Sequence, residues 1–380
     1  MALTRRDILA AGALSVGAPS ALAQGAAVSP GPNPVARIIT SRYGVRAQAM
    51  VNGIPVMALL DSGATEHSID IAAAARLGLK ASGTPFATLG ISGVTRGRIS
   101  DAAVLTFAGH DFANSRLAML DLSHITRTAG EPVELLLGRP LFRALVVETN
   151  FRGRTITVYN PNFYKPPTDA SLVRLSNLNG LMTAPVTLPG GLIYATVDTG
   201  SMAPLVVSPS AARRIDLPGP NMSSSTLLSG LSGVSEGRIT SAPRIGLGPV
   251  SFKDVPIRIA PEPFGTDGNI GLELLSRFNL ALDFGNSRMW VTPLAVERPF
   301  DHDLLGLFGA PGPDGLQVSH VAAGSPADRA GLVQGDVIRT INGQPAIGVN
   351  VQIVRAEPGF KMTFVLTNGE TRQAVLARYY

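Results

Sequence analysis

The chain repeats itself, and the repeat carries a pair of aspartates. Asp61-Ser62-Gly63-Ala64 and Asp198-Thr199-Gly200-Ser201 each close an apolar run and stand 137 positions apart. Further on, Gly90-Ile91-Ser92-Gly93-Val94-Thr95-Arg96-Gly97-Arg98-Ile99 matches Gly230-Leu231-Ser232-Gly233-Val234-Ser235-Glu236-Gly237-Arg238-Ile239 at a separation of 140. A third pair, Leu136-Leu137-Gly138-Arg139-Pro140-Leu141-Phe142 and Asn269-Ile270-Gly271-Leu272-Glu273-Leu274-Leu275, keeps a separation of 133. Three landmarks therefore recur in one order with small insertions and deletions between them. A unit of this length is too long for a solenoid repeat and implies two similar lobes. Asp followed by a small hydroxyl residue and Gly is a common turn. Its recurrence at one place in both lobes reads instead as a catalytic pair of carboxylates.

At 380 residues, with 45% hydrophobic content, there is room for two or three domains with sizeable cores. The absence of cysteine excludes disulfides, thiol catalysis and thiolate metal sites, so stability must come from packing. A formal charge of +5 with no basic block gives no argument for nucleic-acid binding. His67, His110, His124, His302 and His320 are scattered without metal-ligand spacing, and no metal site is expected. At the start, Thr4-Arg5-Arg6-Asp7-Ile8-Leu9, an apolar Ala/Leu/Gly stretch and Ala21-Leu22-Ala23 have the layout of a twin-arginine export signal over residues 1–23. This predicts export to a bacterial periplasm. The apolar stretch falls short of the ~20 residues of a membrane span, so no stable span is expected after cleavage. Residues 24–34, rich in Gly, Pro, Ala and Ser, are expected to form a flexible leader.

After the leader the chain reads almost entirely as strands. Arg46 to Val51, the Asn52-Gly53 turn and Ile54 to Leu60 form a strong hairpin signal that delivers Asp61 at a strand end. Met182 to Leu188, a Pro189-Gly190-Gly191 turn and Leu192 to Val197 do the same for Asp198. Short helical pieces are predicted over Ile71 to Leu77 and Pro209 to Ile215. Pro161, Pro166 and Pro167 mark a linker at residues 161–175, between a first lobe at 35–160 and a second at 176–298. The fold class is mainly β.

Beyond Pro299 the pattern changes. Gly315 to Val321 alternates as a strand, and Ser325-Pro326-Ala327-Asp328 offers an N-cap, a proline at the first helical position and an acid in the first turn. That helix stops at Gly331. The signatures at Gly324 to Ala327, Ala330 to Leu332 and Gly335 to Ile338 resemble those of the PDZ modules of bacterial periplasmic proteases, which implies an α+β PDZ domain over residues 302–380. By this resemblance, the amides of Leu305-Gly306-Leu307 receive the carboxylate of a protein C-terminus while the peptide adds as a strand.

The two Asp-(Ser/Thr)-Gly triplets, the Gly-rich tips and the motifs Leu136-Leu137-Gly138 and Asn269-Ile270-Gly271 together resemble the retropepsin and pepsin clan of aspartic proteases. More specifically, they resemble bacterial retropepsin-like proteins with two fused lobes and a trailing PDZ module. The resemblance implies two acid-protease β-barrel lobes related by a pseudo-twofold axis, a peptide or protein substrate, no cofactor, and activity as a monomer. Peptide hydrolysis without a metal or nucleophile needs a water deprotonated on one side and a carbonyl protonated on the other. Two carboxylates sharing one proton, Asp61 and Asp198, supply both functions, and they titrate as a unit with one constant raised. Gly63 and Gly200 let the backbone approach the carboxylates. The resemblance further implies that Ser62 and Thr199 cross-bond at the lobe interface, and that Leu137-Gly138 and Ile270-Gly271 pack beneath the aspartate loops. Asn269 departs from the apolar pattern, which predicts looser packing under Asp198.

Gly90 to Gly97 and Gly230 to Gly237 are similar to the flap tips of the clan. This implies that two flaps cover the substrate, through Ile91 and Gly93 on one side and Leu231 and Gly233 on the other. Ser201 offers Asp198 a hydroxyl donor where Ala64 offers Asp61 none, so Asp61 is expected to hold the shared proton. Gly233-Val234-Ser235-Glu236-Gly237 fits a serine-hydrolase elbow, but that motif needs a strand, a sharp turn and a helix, and here a hairpin is predicted. Glu66 and His67 are expected at an exposed helix start, the alternative being that they line a pocket. The alternative function is a catalytically inactive, protease-like scaffold that binds peptides.

Overall fold

The computed structural model describes residues 35–37, 39–41, 44–90, 93–129, 131–217, 223–230, 233–262, 264–294, 299–346 and 357–380. The expected export signal and leader, and the flap residues Ile91 and Leu231, lie outside the described residues. No helix among those described is long and apolar enough to cross a membrane.

The chain is mainly β, and the two repeats build two eight-stranded sheets of one plan. Gly44–Val51 and Ile54–Leu60 form the first hairpin, with Val51 opposite Ile54. Asn52 and Gly53 both take positive φ, 51° and 77°, the turn whose twist matches that of the flanking strands. Val45, Ala47, Ala49 and Val51 point into the core while Gln48 and Met50 face out, a half-buried alternation. In the second repeat Leu181–Leu188 pairs with Gly191–Val197, and Leu188 lies opposite Gly191. Gly191, expected in the turn, therefore begins the strand, with φ 147°.

After each aspartate come a short strand, Ser68–Asp70 or Leu205–Val207, and one short helix. Ile71–Arg76 is capped by the Asp70 carboxylate on the Ala72 and Ala73 amides, and Pro209–Arg214 by the Ser208 hydroxyl on the Ala211 amide. Long hairpins follow. Ala81–Gly90 pairs with Gly93–Phe107, Gly90 opposite Gly93, and Ser224–Gly230 pairs with Gly233–Leu247, Gly230 opposite Gly233. Each sheet folds over on itself where the first strand meets the end of the long one, Met50 with Thr106 and Val186 with Leu247. Ser235 lies inside the strand of the second hairpin, opposite Leu228, so the strand, turn and helix of a serine elbow do not form around it.

A six-stranded sheet joins the lobes. Val35–Arg37, Thr155–Tyr159 and Val146–Asn150 from the first repeat lie beside Phe278–Asp283 and Arg288–Pro293 from the second, with Val147 opposite Leu282 at the seam. Ser171–Arg174, inside the stretch expected as linker, completes the sheet by pairing with Arg288–Val291. Its Val173 is buried and Leu172 exposed, the alternation of a strand, which outweighs the prolines upstream. One apolar core runs through both lobes and this sheet, from Val45 to Phe300.

The C-terminal region has its own core around Leu316, Val318, Leu332, Ile338 and Phe364. Its strands are Leu307–Gly312, Gly315–Val321, Val337–Ile341, Gln344–Pro345, Lys361–Leu366 and Thr371–Val375. A one-turn helix, Pro326–Arg329, is capped by the Ser325 hydroxyl on the Asp328 amide. Polar contacts tie this region to the second lobe: Arg378 grips the Asp254 carboxylate at 2.9 and 3.2 Å, and Ser225 Oγ meets His320 Nε2 at 3.0 Å.

Candidate active site

Both aspartates sit where a strand leaves the sheet, and the same backbone bond anchors each. The Asp61 amide donates to Leu137 O and the Asp198 amide to Ile270 O, both at 3.0 Å. Leu137 and Ile270 are fully buried beneath them. Gly138 and Gly271 leave no room for a side chain, since a Cβ would lie 2.3 Å from Glu66 O in one case and 2.1 Å from Ala203 O in the other. The Asn269 motif thus anchors its aspartate as closely as the Leu136 motif does, and the looser packing expected there is absent.

The two loops lock together across the lobes. Thr199 N donates to Ser62 Oγ at 3.0 Å and Ser62 N to Thr199 Oγ1 at 3.1 Å. The hydroxyls pass their own protons inward, Ser62 Oγ to Val197 O and Thr199 Oγ1 to Leu60 O, both at 2.8 Å. All four groups are buried and satisfied, which a buried polar cluster requires. Gly63 and Gly200 fill the remaining space: a Cβ on Gly63 would fall 2.6 Å from Asp198 Cγ, and one on Gly200 2.5 Å from Asp61 Cγ.

The carboxylates are consequently side by side, close enough for each to act on the other's ionisation. Asp61 Oδ1 also accepts from the Gly63 and Ala64 amides at 3.0 and 2.9 Å, and Asp198 Oδ1 from the Gly200 and Ser201 amides at 2.8 and 3.2 Å. Burial first, and then the charge of Asp198, push the Asp61 carboxyl up to about 7, against the pull of the two amides. That is the behaviour of two like charges that cannot both ionise at close range.

Among the described residues, Asp198 carries one side-chain contact that Asp61 lacks. Its Oδ2 accepts from Asn269 Nδ2 at 2.5 Å. Ser201, expected to supply the side-chain donor, gives Asp198 only its amide. The Ser201 hydroxyl lies instead toward Gly271, where a Cβ would sit 3.0 Å from it. The signal that could have found Asn269 is in the repeat itself, where a single amide interrupts an apolar-apolar-Gly motif one residue from the anchor of the aspartate loop.

Arg139 and His67 support the first loop. Arg139, nearly fully buried, donates through Nε to Ala64 O at 3.3 Å and through Nη1 to Gly180 O of the second repeat, which Arg143 Nη2 also reaches at 3.2 Å. Burial, reinforced by Arg143, lowers its pKa to about 10, while Glu66, Asp61 and Asp198 act in the opposite sense. Burial raises the Glu66 carboxyl, against the pull of Arg139 and Arg143. His67 is 6% exposed, not at the surface as expected, and its Nδ1 accepts from the Gly138 amide at 3.2 Å. Burial lowers its pKa to about 4, so the ring is neutral. Ser68–Asp70 begins immediately after it, and entering that strand turns the ring inward.

Gly93 and Gly233 open the returning flap strands with φ of 132° and 122°, a backbone that favours glycine. In the C-terminal region the Leu305 and Leu307 side chains are buried and Gly306 has φ 72°. The amides of Leu305 and Gly306 are already engaged, donating to Asp303 Oδ1 at 3.0 and 2.8 Å. Two of the three donors expected to receive a peptide carboxylate therefore hold an internal one. Among the described residues, the strand Leu307–Gly312 pairs only with Gly315–Val321, so its second edge is unpaired.

Comparison with known families agrees with this geometry. Residues 47–141 and 184–274 each match the family model described as aspartyl protease, and residues 317–367 match that of the PDZ domain. None of the curated proteins compared with the chain matches it. The two protease matches coincide with the two repeats and each contains one Asp-(Ser/Thr)-Gly loop. The chain is therefore built from a duplicated retropepsin-like aspartyl protease domain followed by a C-terminal PDZ domain.

Proposed function

We propose that the protein is an exported aspartic endopeptidase whose dyad is Asp61 and Asp198, with the PDZ domain recruiting substrate or partner. The observation that carries this reading is the pair of carboxylates held side by side by the interlocked Ser62 and Thr199 loops, with Asp61 raised to about 7. At mildly acidic pH such a pair holds one proton. Asp198 as carboxylate takes a proton from water while the water oxygen bonds to the peptide carbonyl carbon, and Asp61 gives its proton to the carbonyl oxygen. Collapse of the tetrahedral intermediate breaks the C–N bond, the amine nitrogen taking the proton held on Asp198 and Asp61 regaining one from the diol. In this reading the two flap hairpins close over an extended peptide from both lobes. The twin-arginine layout of residues 1–23 supports export to the periplasm.

Incubation of the mature protein with a peptide library across pH, with and without a statine-type inhibitor, tests the reading. The inhibitor's hydroxyl stands for the tetrahedral oxygen. Cleavage is expected to be blocked by the inhibitor, and Asp61→Asn and Asp198→Asn are each expected to lower kcat by about 10²–10⁴-fold, the usual worth of an acid or base. Inhibitor binding without cleavage under any condition would establish the scaffold instead.

A further inference from the structure

The two halves of the dyad differ in one buried side chain, and the repeat makes the difference readable. Strands Leu135–Leu137 and Gly268–Ile270 lie in matching registers: Leu136 pairs with Leu59 and Ser68, and Asn269 with Thr196 and Val206. Leu59 and Thr196 each stand two residues before their aspartate, so Leu136 and Asn269 are equivalent. Leu136 packs in an apolar cluster with Leu59, Leu120 and Val133. Asn269, 7% exposed, instead gives its amide N–H to the outer oxygen of Asp198 at 2.5 Å. The counterparts of Leu59 and Val133 are Thr196 and Thr266, whose hydroxyls meet at 3.2 Å. The second lobe is polar where the first is apolar.

We infer that Asn269 is a positioning residue that breaks the symmetry of the dyad, holding Asp198 as the ionised base and leaving the shared proton on Asp61. A hydrogen bond from a buried amide to a carboxylate favours the charged form, and among the described residues the equivalent place beside Asp61 is held by the apolar Leu136. The inference rests on the proposed protease reading for its catalytic consequence but not for its titration. The other charged groups facing the pair are Arg139, which sits on the first loop through Ala64 O and couples to Asp61 ahead of Asp198, so that it opposes the asymmetry, and behind it Glu66 and Arg143. Arg139 and Arg143 give their hydrogen bonds to backbone carbonyls, whereas Asn269 donates directly to a carboxylate oxygen of the dyad. Among the described residues the amide's other end, Oδ1, is buried without a hydrogen-bond partner, and the side chain's polar contact is the one to Asp198.

The test is Asn269→Leu, which restores the residue of the first repeat. Carboxyl-carbon NMR of the aspartates in the full chain reads the dyad without requiring turnover. Loss of the donor is expected to raise the lower of the two dyad constants by about one pH unit, moving the acid limb of kcat/KM by the same amount. Asn269→Ser, which keeps a donor in a smaller side chain, is expected to shift it less, and it carries the test if Asn269→Leu fails to fold. An unmoved lower constant with reduced kcat would show a purely structural role and overturn the inference. A downward shift would also overturn it, because it would mean that Asn269 presents its oxygen to a protonated Asp198. If wild type shows no cleavage but Asn269→Leu still raises the lower constant, the protease reading fails and the assignment of Asn269 stands.

Discussion

At the scale of single residues, the site depends on burial acting against charge. Asp61 is raised from its ordinary 3.8 to about 7, so the folded state binds its proton more tightly than the unfolded chain does. Its contribution to stability is full below about pH 4 and is lost as pH rises through 7. His67 acts in the opposite direction: lowered from 6.5 to about 4, it costs stability as pH falls across that window. Asp61→Asn removes the first of these slopes. The variant is expected to be more stable than wild type above pH 7 and to lose that advantage near pH 4, measured by urea unfolding across pH. An unchanged pH dependence would show that Asp61 is not raised. Activity is expected to decline above about pH 7, where the general acid loses its proton.

At the scale of elements, the interlocked loops and the PDZ carboxylate loop make separate predictions. Ser62→Ala removes the acceptor of the Thr199 amide and the donor to Val197 O. Leaving those buried groups unpaired is expected to cost about 1–3 kcal/mol, measured by urea unfolding, with catalysis falling as the carboxylates lose register. Thr199→Ala is its mirror. In the PDZ domain, Asp303 occupies the Leu305 and Gly306 amides and also accepts from the Tyr379 hydroxyl at 2.8 Å. Peptides ending in a free carboxylate and in an amide are therefore expected to bind equally in a calorimetric titration. A preference of about tenfold for the free acid, ~1.4 kcal/mol, would mean that Asp303 is displaced. Among the described residues the second edge of Leu307–Gly312 is unpaired, which strand addition by a peptide would require.

At the scale of the whole molecule, the duplication places both carboxylates in one chain. The lobes share a core and a six-stranded sheet, and the loop interlock is intramolecular. Turnover per molecule is therefore expected to stay constant on dilution, with a monomer by sedimentation; a fall with concentration would indicate assembly. The elements and their order were legible in the sequence because they rest on local rules: strand alternation, the Asn52-Gly53 turn, the Ser325 cap, and a repeat that can be counted. The pairing of Asp61 with Asp198 could be inferred in the same way, since only two such loops exist and symmetry relates them. Other features depended on packing between segments far apart in the chain. The Ser171–Arg174 strand closes the shared sheet, His67 turns inward, Asp303 fills the loop expected for a peptide, and Asn269, not Ser201, reaches Asp198. Sequence by itself determined the framework, because turns, caps and periodicity act between near neighbours. Only the tertiary structure decided which donor meets which oxygen, because a side chain's partner is set by whatever the fold brings within about 3 Å of it.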